Sequence, residues 1–245
     1  MTKTAQPITA DAIQTRLAAQ SLAVTADQAA SLAAYLEVLT AWNRRVNLVG
    51  HIRWTEILDD LAVDSLHLAA FLESPPVAGL LDTAGGAPLC LDFGAGAGLP
   101  GIPLRILWPR GEYVLIEVRA KRAVFLAEAL ARLSLPRTTV FSGRAEEAPG
   151  RLVSPDRPGL VLCLSRAFLP WPKFLAFVAT HLGALGRPVA VLAMTGDRPA
   201  DDPAAIAGAG WTQHAGSAYE VLGKTRYLSL FVPKNASRAL PLKMS

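Results

Sequence analysis

Apolar residues over the first 72 positions recur at helical steps. From Thr9 to Leu48, Ile13, Leu17 and Leu22 lead into Leu32, Tyr35, Leu36 and Leu39 at three- and four-residue intervals with alanines between, which predicts helix. A second helical stretch, residues 55–72, places Ile57, Leu58, Leu61, Leu66 and Leu68 largely on one side. Residues 75–88 carry Pro75-Pro76, Gly79, Gly85-Gly86 and Pro88 and are expected to form a linker or long loop. Beyond them the period changes. Short apolar runs at 89–93, 113–118, 138–141, 160–164 and 189–194 alternate with helical stretches, of which 120–134 is the clearest. That alternation predicts an α/β fold, a mostly parallel sheet with helices on both faces. Two further runs, 211–221 and 226–232, flank a turn at Gly223 and are expected to add an antiparallel hairpin, giving seven strands.

The strongest local feature is the stretch from Leu91 to Gly101, LDFGAGAGLPG. An apolar strand runs into Gly94, Gly96 and Gly98 and then into a helix that Pro100 can start. In an open α/β sheet this is where ligands bind, at the carboxyl ends of the strands. The next strand ends at Glu117, nineteen residues after Gly98, where a carboxylate can accept both hydroxyls of a ribose. The following strand ends in Ser142-Gly143-Arg144-Ala145-Glu146-Glu147, whose polar groups can reach an adenine edge. A glycine pattern of this kind also serves dinucleotides. Asp92 favours S-adenosylmethionine, because a carboxylate there can bind an ammonium group but is an awkward neighbour for a pyrophosphate. The terminal hairpin points the same way. Blander roles stay open: Asp92 as a turn cap, and Glu117 as the ion-pair partner of Arg119 or Lys121.

With these residues in view, the chain resembles the glucose-inhibited division protein B family, bacterial methyltransferases that make 7-methylguanosine in 16S ribosomal RNA. The resemblance covers roughly residues 28–232. It rests on LTAWNRRVNL (39–48), Val63-Asp64-Ser65-Leu66, the GLPGIPL continuation of the glycine loop, Lys121-Arg122 followed by Phe125-Leu126, GRAEE (143–147), Ser165-Arg166-Ala167 and Arg226. It implies a class I S-adenosylmethionine-dependent methyltransferase fold, Rossmann-like, with an N-terminal helical extension. It implies donor contacts at Gly94, Leu99, Ala145, Glu146 and Arg166, with Glu117 at the ribose. Guanine N7 carries an in-plane lone pair, so its methylation demands no general base, and Arg166 is expected nearest the reacting centre, positioning the acceptor. Four positions depart from the family pattern. Asp60 and Leu61 stand where the family usually has an Arg-His pair, Thr195 where it has a lysine, and Thr225 where an acidic residue precedes Arg226.

Composition adds constraints. Half the residues are hydrophobic and 18% charged, enough for a sizeable core. The net charge of +4 is uneven: residues 75–245 carry an excess of seven positive charges and residues 1–74 an excess of three negative. The basic part suits a polyanion. Within it Arg119, Lys121, Arg122, Arg132, Arg137 and Arg144 are interrupted only by Glu128. That series reads either as an RNA-facing patch, with Arg119, Lys121, Arg122 and Arg144 the candidates, or as a solvated helix face. Trp42 and Trp108 are expected to pack in the core; Trp171 either packs or borders a substrate cleft and stacks on a base. Cys90 and Cys163 sit in apolar runs and read as buried thiols. The four histidines lack ligand spacing, so no metal is expected. No apolar run is long enough to span a bilayer and no signal-peptide pattern opens the chain, so a cytoplasmic monomer with no membrane association is expected.

These readings predict a helical subdomain over 1–74, a linker over 75–88, a donor-binding methyltransferase domain over 89–233 and a tail over 234–245. The donor site comprises Asp92, Gly94, Gly96, Gly98, Leu99, Glu117, Ala145, Glu146 and Arg166, and the acceptor is 16S ribosomal RNA or the small subunit. Two other functions remain open: a methyltransferase of small molecules or proteins, and a non-catalytic S-adenosylmethionine-binding assembly factor.

Overall fold

The computed structural model describes residues 7–235. The tail expected over 234–245 lies almost wholly outside them. Helix α1 (Ala10–Ala18) starts at Thr9, whose hydroxyl accepts from the Ala12 N–H at 3.2 Å. The long helical pattern breaks before α2 (Ala26–Val46) because Thr25 and Gln28 form a reciprocal capping box. Asn47 ends α2 in a left-handed conformation. The Asn43 side chain then pins the following loop, bonding Val49 N–H, Val49 O and His51 O at 2.9–3.0 Å.

The second helical stretch is continuous but not uniform. It opens as α3 (Trp54–Glu56), widens into a π-helical turn (Ile57–Ala62) and closes as α4 (Val63–Leu72). The expected linker is corrected by the structure: most of it is α5 (Pro75–Thr83), with prolines in the first turn, where no N–H is needed, and Val77, Leu80 and Leu81 buried at helical spacing. Only residues 84–88 remain irregular.

The sheet follows: β1 (Leu89–Phe93), α6 (Gly101–Leu107), β2 (Glu112–Glu117), α7 (Ala120–Leu133), β3 (Thr138–Ser142), α8 (Ala148–Leu152), β4 (Val161–Arg166), α9 (Trp171–Leu182), β5 (Val189–Thr195), α10 (Pro203–Gly208), β6 (Trp211–Val221) and β7 (Lys224–Pro233). Strand order is β3-β2-β1-β4-β5-β7-β6; the first five are parallel, and β7 enters antiparallel between β5 and β6. The order reverses between β1 and β4, which opens a crevice at their carboxyl ends.

Two cores cover the two faces. In one, Leu32, Tyr35, Leu36 and Leu39 of α2 pack in the same cluster as Leu104, Leu115 and Phe125, so the helical extension shares its core with the sheet. In the other, Phe174, Leu175 and Val178 of α9 meet Leu91, Phe93 and Phe231. Cys90 lies on the first face and Cys163 on the second, both as buried free thiols. Trp108 is 2% exposed and Trp42 sets its edge against Phe125, so both pack as expected.

Candidate functional site

The glycine loop leaves β1 with the Gly94 and Ala95 N–H groups both donating to Ile116 O at 3.0 Å. Gly94 and Gly98 have φ of +72° and +74°, a region that a side chain penalises. A Cβ at Gly94 would lie 3.0 Å from Phe168 Cδ2, and one at Gly98 2.5 Å from Ile102 Cδ1, so the loop has neither the conformation nor the room for one. The helical extension holds the loop from beneath. The Tyr35 hydroxyl donates to Ala97 O at 2.7 Å, and Ser65 Oγ to Pro100 O at 3.0 Å.

Glu117, 5% exposed at the tip of β2, faces this loop. Its Oε2 accepts from the Gly96 N–H at 2.9 Å and its Oε1 from the Arg119 N–H at 2.8 Å. Neither ion pair left open by the sequence, with the Arg119 guanidinium or with Lys121, is formed. Each carboxylate oxygen keeps a lone pair for a ligand hydroxyl. The tip of β3 is tied alongside, with the Gly143 N–H donating to Glu117 O at 3.1 Å. Ala145 there is half-buried, and Glu146 is exposed and pairs with Arg144 at 3.5 Å. Leu99 is half-buried on the far side of the loop.

Asp92 sits elsewhere. It is 1% exposed, accepts from the Tyr113 hydroxyl at 3.1 Å, and presses its Oδ2 against Gly101 at the start of α6. Burial pushes its carboxyl up to about 7, with the Tyr113 bond pulling the other way. It therefore braces the loop from below, and the expectation that it offers an open carboxylate to an ammonium group is corrected. One polar atom near the loop is unsatisfied: Ser165 Oγ, on β4 in register with Phe93, is buried without a hydrogen-bond partner. A buried hydroxyl left so is a place for an incoming polar group.

Beside this site, at the ends of β4 and β5, opens a cleft of about 710 Å³ bordered by Asp64, Arg166, Phe168, Trp171, Thr195, Asp197, Tyr219 and Arg226. Its floor is a charge network spanning distant segments. Asp64, 2% exposed, accepts from Arg226 Nη1 at 2.6 Å and from the Tyr219 hydroxyl at 2.9 Å, and pairs with Arg166 Nη2 at 3.3 Å. Arg166 also donates to Leu61 O at 3.1 Å. Arg226 reaches the π turn as well, bonding Asp60 O at 2.6 Å and the Asp60 carboxylate, which is itself 2.6 Å from His51 Nε2. Burial alone would raise the Asp60 carboxyl, but His51 and Arg226 outweigh it and hold it low. Tyr219 stacks on His67 at 4.2 Å, and burial pushes its phenol up while pushing the His67 imidazole down.

Sequence reasoning did not find this network. Asp64 was visible only as part of a family motif, Tyr219 carried no signal, and Asp60 looked like the loss of a basic group. In space Asp60 supplies the acid for Arg226, while Thr225, in place of the family's acidic residue, bonds outward to Glu220. Two departures from the family pattern thus meet around one arginine.

The basic series divides. Arg132 is committed to Glu37 at 2.6 Å and Arg137 to Pro109 O at 3.2 Å. Arg119 and Lys121 are exposed at the start of α7, and Arg122 Nη1 would lie 3.6 Å from a Cβ on Gly96, so Arg122 reaches the glycine loop. Trp171 is 7% exposed and lies nearly parallel to Phe231 at 6.0 Å, so its ring packs, and only its Nε1 edge, donating to Asp197 Oδ2 at 3.2 Å, reaches the cleft. Among the described residues no group of three or more His, Cys, Asp or Glu could hold a metal ion, and no helix is long and apolar enough to cross a membrane.

Comparison with known proteins adds the following. Residues 28–219 match the family model described as rRNA small subunit methyltransferase G. A ribosomal RNA small subunit methyltransferase G of Nitratidesulfovibrio vulgaris is 50% identical over 159 residues, covering 65% of this chain and 67% of that relative. One of Oleidesulfovibrio alaskensis is 40% identical over 210 residues, 84% of this chain and 86% of the relative. Among solved structures, an O-methyltransferase of Bacillus cereus in complex with SAH superposes with a TM-score of 0.54 at 14% identity, covering 90% of this chain and 97% of the other. A magnesium protoporphyrin IX methyltransferase of Synechocystis with bound SAH gives 0.51 at 13%, covering 82% and 100%. These two likenesses establish the methyltransferase fold.

Proposed function

The chain belongs to the rRNA small subunit methyltransferase G family, and on that premise we propose that it transfers the methyl group of S-adenosylmethionine to N7 of a guanine in 16S ribosomal RNA. The observation that carries the reading is the pairing of a glycine loop, crowded for a Cβ at Gly94 and Gly98, with a buried carboxylate whose two oxygens each keep a free lone pair. The residues fit the donor. Gly94, Gly96, Gly98 and Leu99 would let its backbone-hugging part approach, Glu117 would take the ribose hydroxyls, and Ala145 and Glu146 would border the adenine. The orphaned Ser165 hydroxyl offers one more polar contact between β1 and β4.

When bound, this donor supplies an electrophilic methyl carbon on a sulfonium, whose bond electrons return to sulfur as the base gains the positive charge. The chain's task is positioning, since guanine N7 needs no proton removed before attack. Arg166 enters the cleft at the tip of β4, tethered by Asp64 and the Leu61 carbonyl, and so presents a fixed cation to the acceptor. A cation beside N7 would oppose the developing charge, so its place is at guanine O6 or a phosphate. Arg119, Lys121, Arg122 and Arg144 would meet RNA phosphates, which position without reading sequence.

The test is transfer of radiolabelled methyl to 16S RNA, and to small subunits, from cells lacking this protein, with cleavage chemistry specific for 7-methylguanosine locating the label. Label at one guanine is expected. Label confined to small molecules or proteins, or the full complement of 7-methylguanosine in RNA from those cells, overturns the reading.

A further inference from the structure

Three carboxylates border the cleft: Asp64, Asp197 and Asp202. Asp64 is saturated by Arg166, Arg226 and Tyr219. Asp202 caps α10, its Oδ1 accepting from the Ala205 N–H at 2.9 Å. Asp197 is different. Among the described residues its carboxylate has no cationic partner, and its one side-chain bond is from Trp171 Nε1 to Oδ2, leaving Oδ1 free at the cleft. The turn that carries it is fixed by Thr195, whose Oγ1 donates to Asp197 O at 2.6 Å. The family's lysine would stand at this same position 195, within reach of a carboxylate; the threonine here offers Asp197 no cation. An exposed carboxylate with no cationic partner among the described residues thus stands at the rim of the cleft, held on one oxygen by Trp171.

We propose that Asp197 selects guanine: its carboxylate, steadied by the Trp171 indole, accepts the N1–H and N2–H of the incoming base. This rests on the reading above, that the cleft receives an RNA base. Enzymes that act on a base read its Watson–Crick edge by hydrogen bonds. Guanine alone among the four presents two adjacent donors on that edge. Adenine and cytosine offer ring-nitrogen acceptors there, and uracil flanks its one donor with two carbonyls that repel an acid. N7 lies on the opposite edge, so holding N1 and N2 leaves the reacting lone pair free. Methyl transfer moves one positive charge from sulfur to the purine, which makes N1–H and N2–H stronger donors. The contact therefore tightens as the transition state forms and favours kcat over ground-state binding.

The experiment compares wild type with Asp197→Ala on 16S RNA from cells lacking the protein, and on the same RNA rebuilt with inosine, which lacks the 2-amino group, at the nucleotide the wild type methylates. Wild type should lose about ten- to hundredfold in kcat/KM on inosine, the range for one hydrogen bond to a charged group. Asp197→Ala should lose at least that much on guanine, mostly in kcat, show no further loss on inosine, and keep its affinity for S-adenosylmethionine. Trp171→Phe, which keeps a ring but removes the N–H, should fall between. Should the alanine variant fail to fold, Asp197→Asn replaces it with nearly the same volume and the same expected loss. A variant that folds and retains both the wild-type rate and the wild-type preference for guanine over inosine overturns the proposal while leaving the methyltransferase reading intact. Wild type that labels no RNA at all strikes the earlier reading instead.

Discussion

The two halves of the site are made of different material. The proposed donor side is mostly backbone: amides of Gly94, Ala95, Gly96 and Arg119, and carbonyls of Ala97, Pro100 and Ile116, held within one strand–loop–helix unit and its neighbour strand and braced by Tyr35 and Ser65 of the helical extension. The acceptor side is mostly side chain: Asp60 and Asp64 from the helical extension, Arg166 from β4, Tyr219 and Arg226 from the hairpin. The first tolerates almost no change in residue type at its glycines. The second is joined by ion pairs between distant segments, of which Asp60–Arg226 is one.

The sharpest way to test the separation is Gly94→Val. A β-branched residue at φ of +72°, with Phe168 against its Cβ, should reduce donor binding by about a hundredfold or more. Calorimetry reads the donor loss; RNA binding by filter retention should stay unchanged. If both fall together, the halves are not separable.

On the acceptor side, Asp64→Ala leaves Arg166 without a carboxylate partner and Arg226 with Asp60 alone. Breaking a buried pair costs about 3–5 kcal/mol. Because the Arg166 and Arg226 side chains remain 21% and 19% exposed, and Arg226 keeps Asp60, about 2 kcal/mol is the expected loss in urea unfolding. Methyl transfer should fall steeply while donor affinity in the folded fraction stays within a factor of about two. A donor affinity that drops as far as the rate would place Asp64 in the wrong half.

Glu117→Ala is the donor-side counterpart. Losing the ribose acceptor should weaken donor binding by about 1–3 kcal/mol, and Glu117→Asp by less. Unchanged affinity in a folded alanine variant would leave Glu117 with only its loop-bracing bonds to Gly96 and Arg119. The smallest effect is expected from neutralising Lys121 and Arg122 together. RNA binding should weaken and its salt slope flatten by about 1–2, with donor affinity intact, since exposed cations act through released counterions. A slope identical to wild type would return these residues to a solvated helix face.

This difference in material also explains what could be read before the fold was known. Strand β1, the Gly94–Gly98 loop and Glu117 are contiguous or nearly so, and each residue type is forced by a local backbone need, so type and spacing announce them. The strands and the terminal hairpin follow from apolar runs bounded by turn residues, whereas the order of the strands in the sheet comes from the structure alone. Proline and glycine misled at 75–88, because two prolines that punctuate a loop also suit the first turn of a helix, and only the burial of Val77, Leu80 and Leu81 decides between them. Asp92 was read by its neighbours in sequence, yet alternation along β1 turns it under the loop toward Tyr113. The cleft floor was out of reach for a different reason. Asp64 and Arg226 stand 162 positions apart, and nothing in the periodicity of either segment encodes that they meet.

That separation has a consequence for how the protein comes into being. A ribosome emits the chain from its first residue, so the helical extension, the glycine loop and Glu117 are all available while the last two strands are still being made. Tyr35 can dock beneath Ala97 at that stage. Asp60 and Asp64, by contrast, gain Arg226 only when the final hairpin emerges; until then their partners are His51 and Arg166. In chain order, then, the proposed donor half is complete before the proposed acceptor half, and a chain cut short before Tyr219 carries the glycine loop but lacks Tyr219 and Arg226 of the cleft.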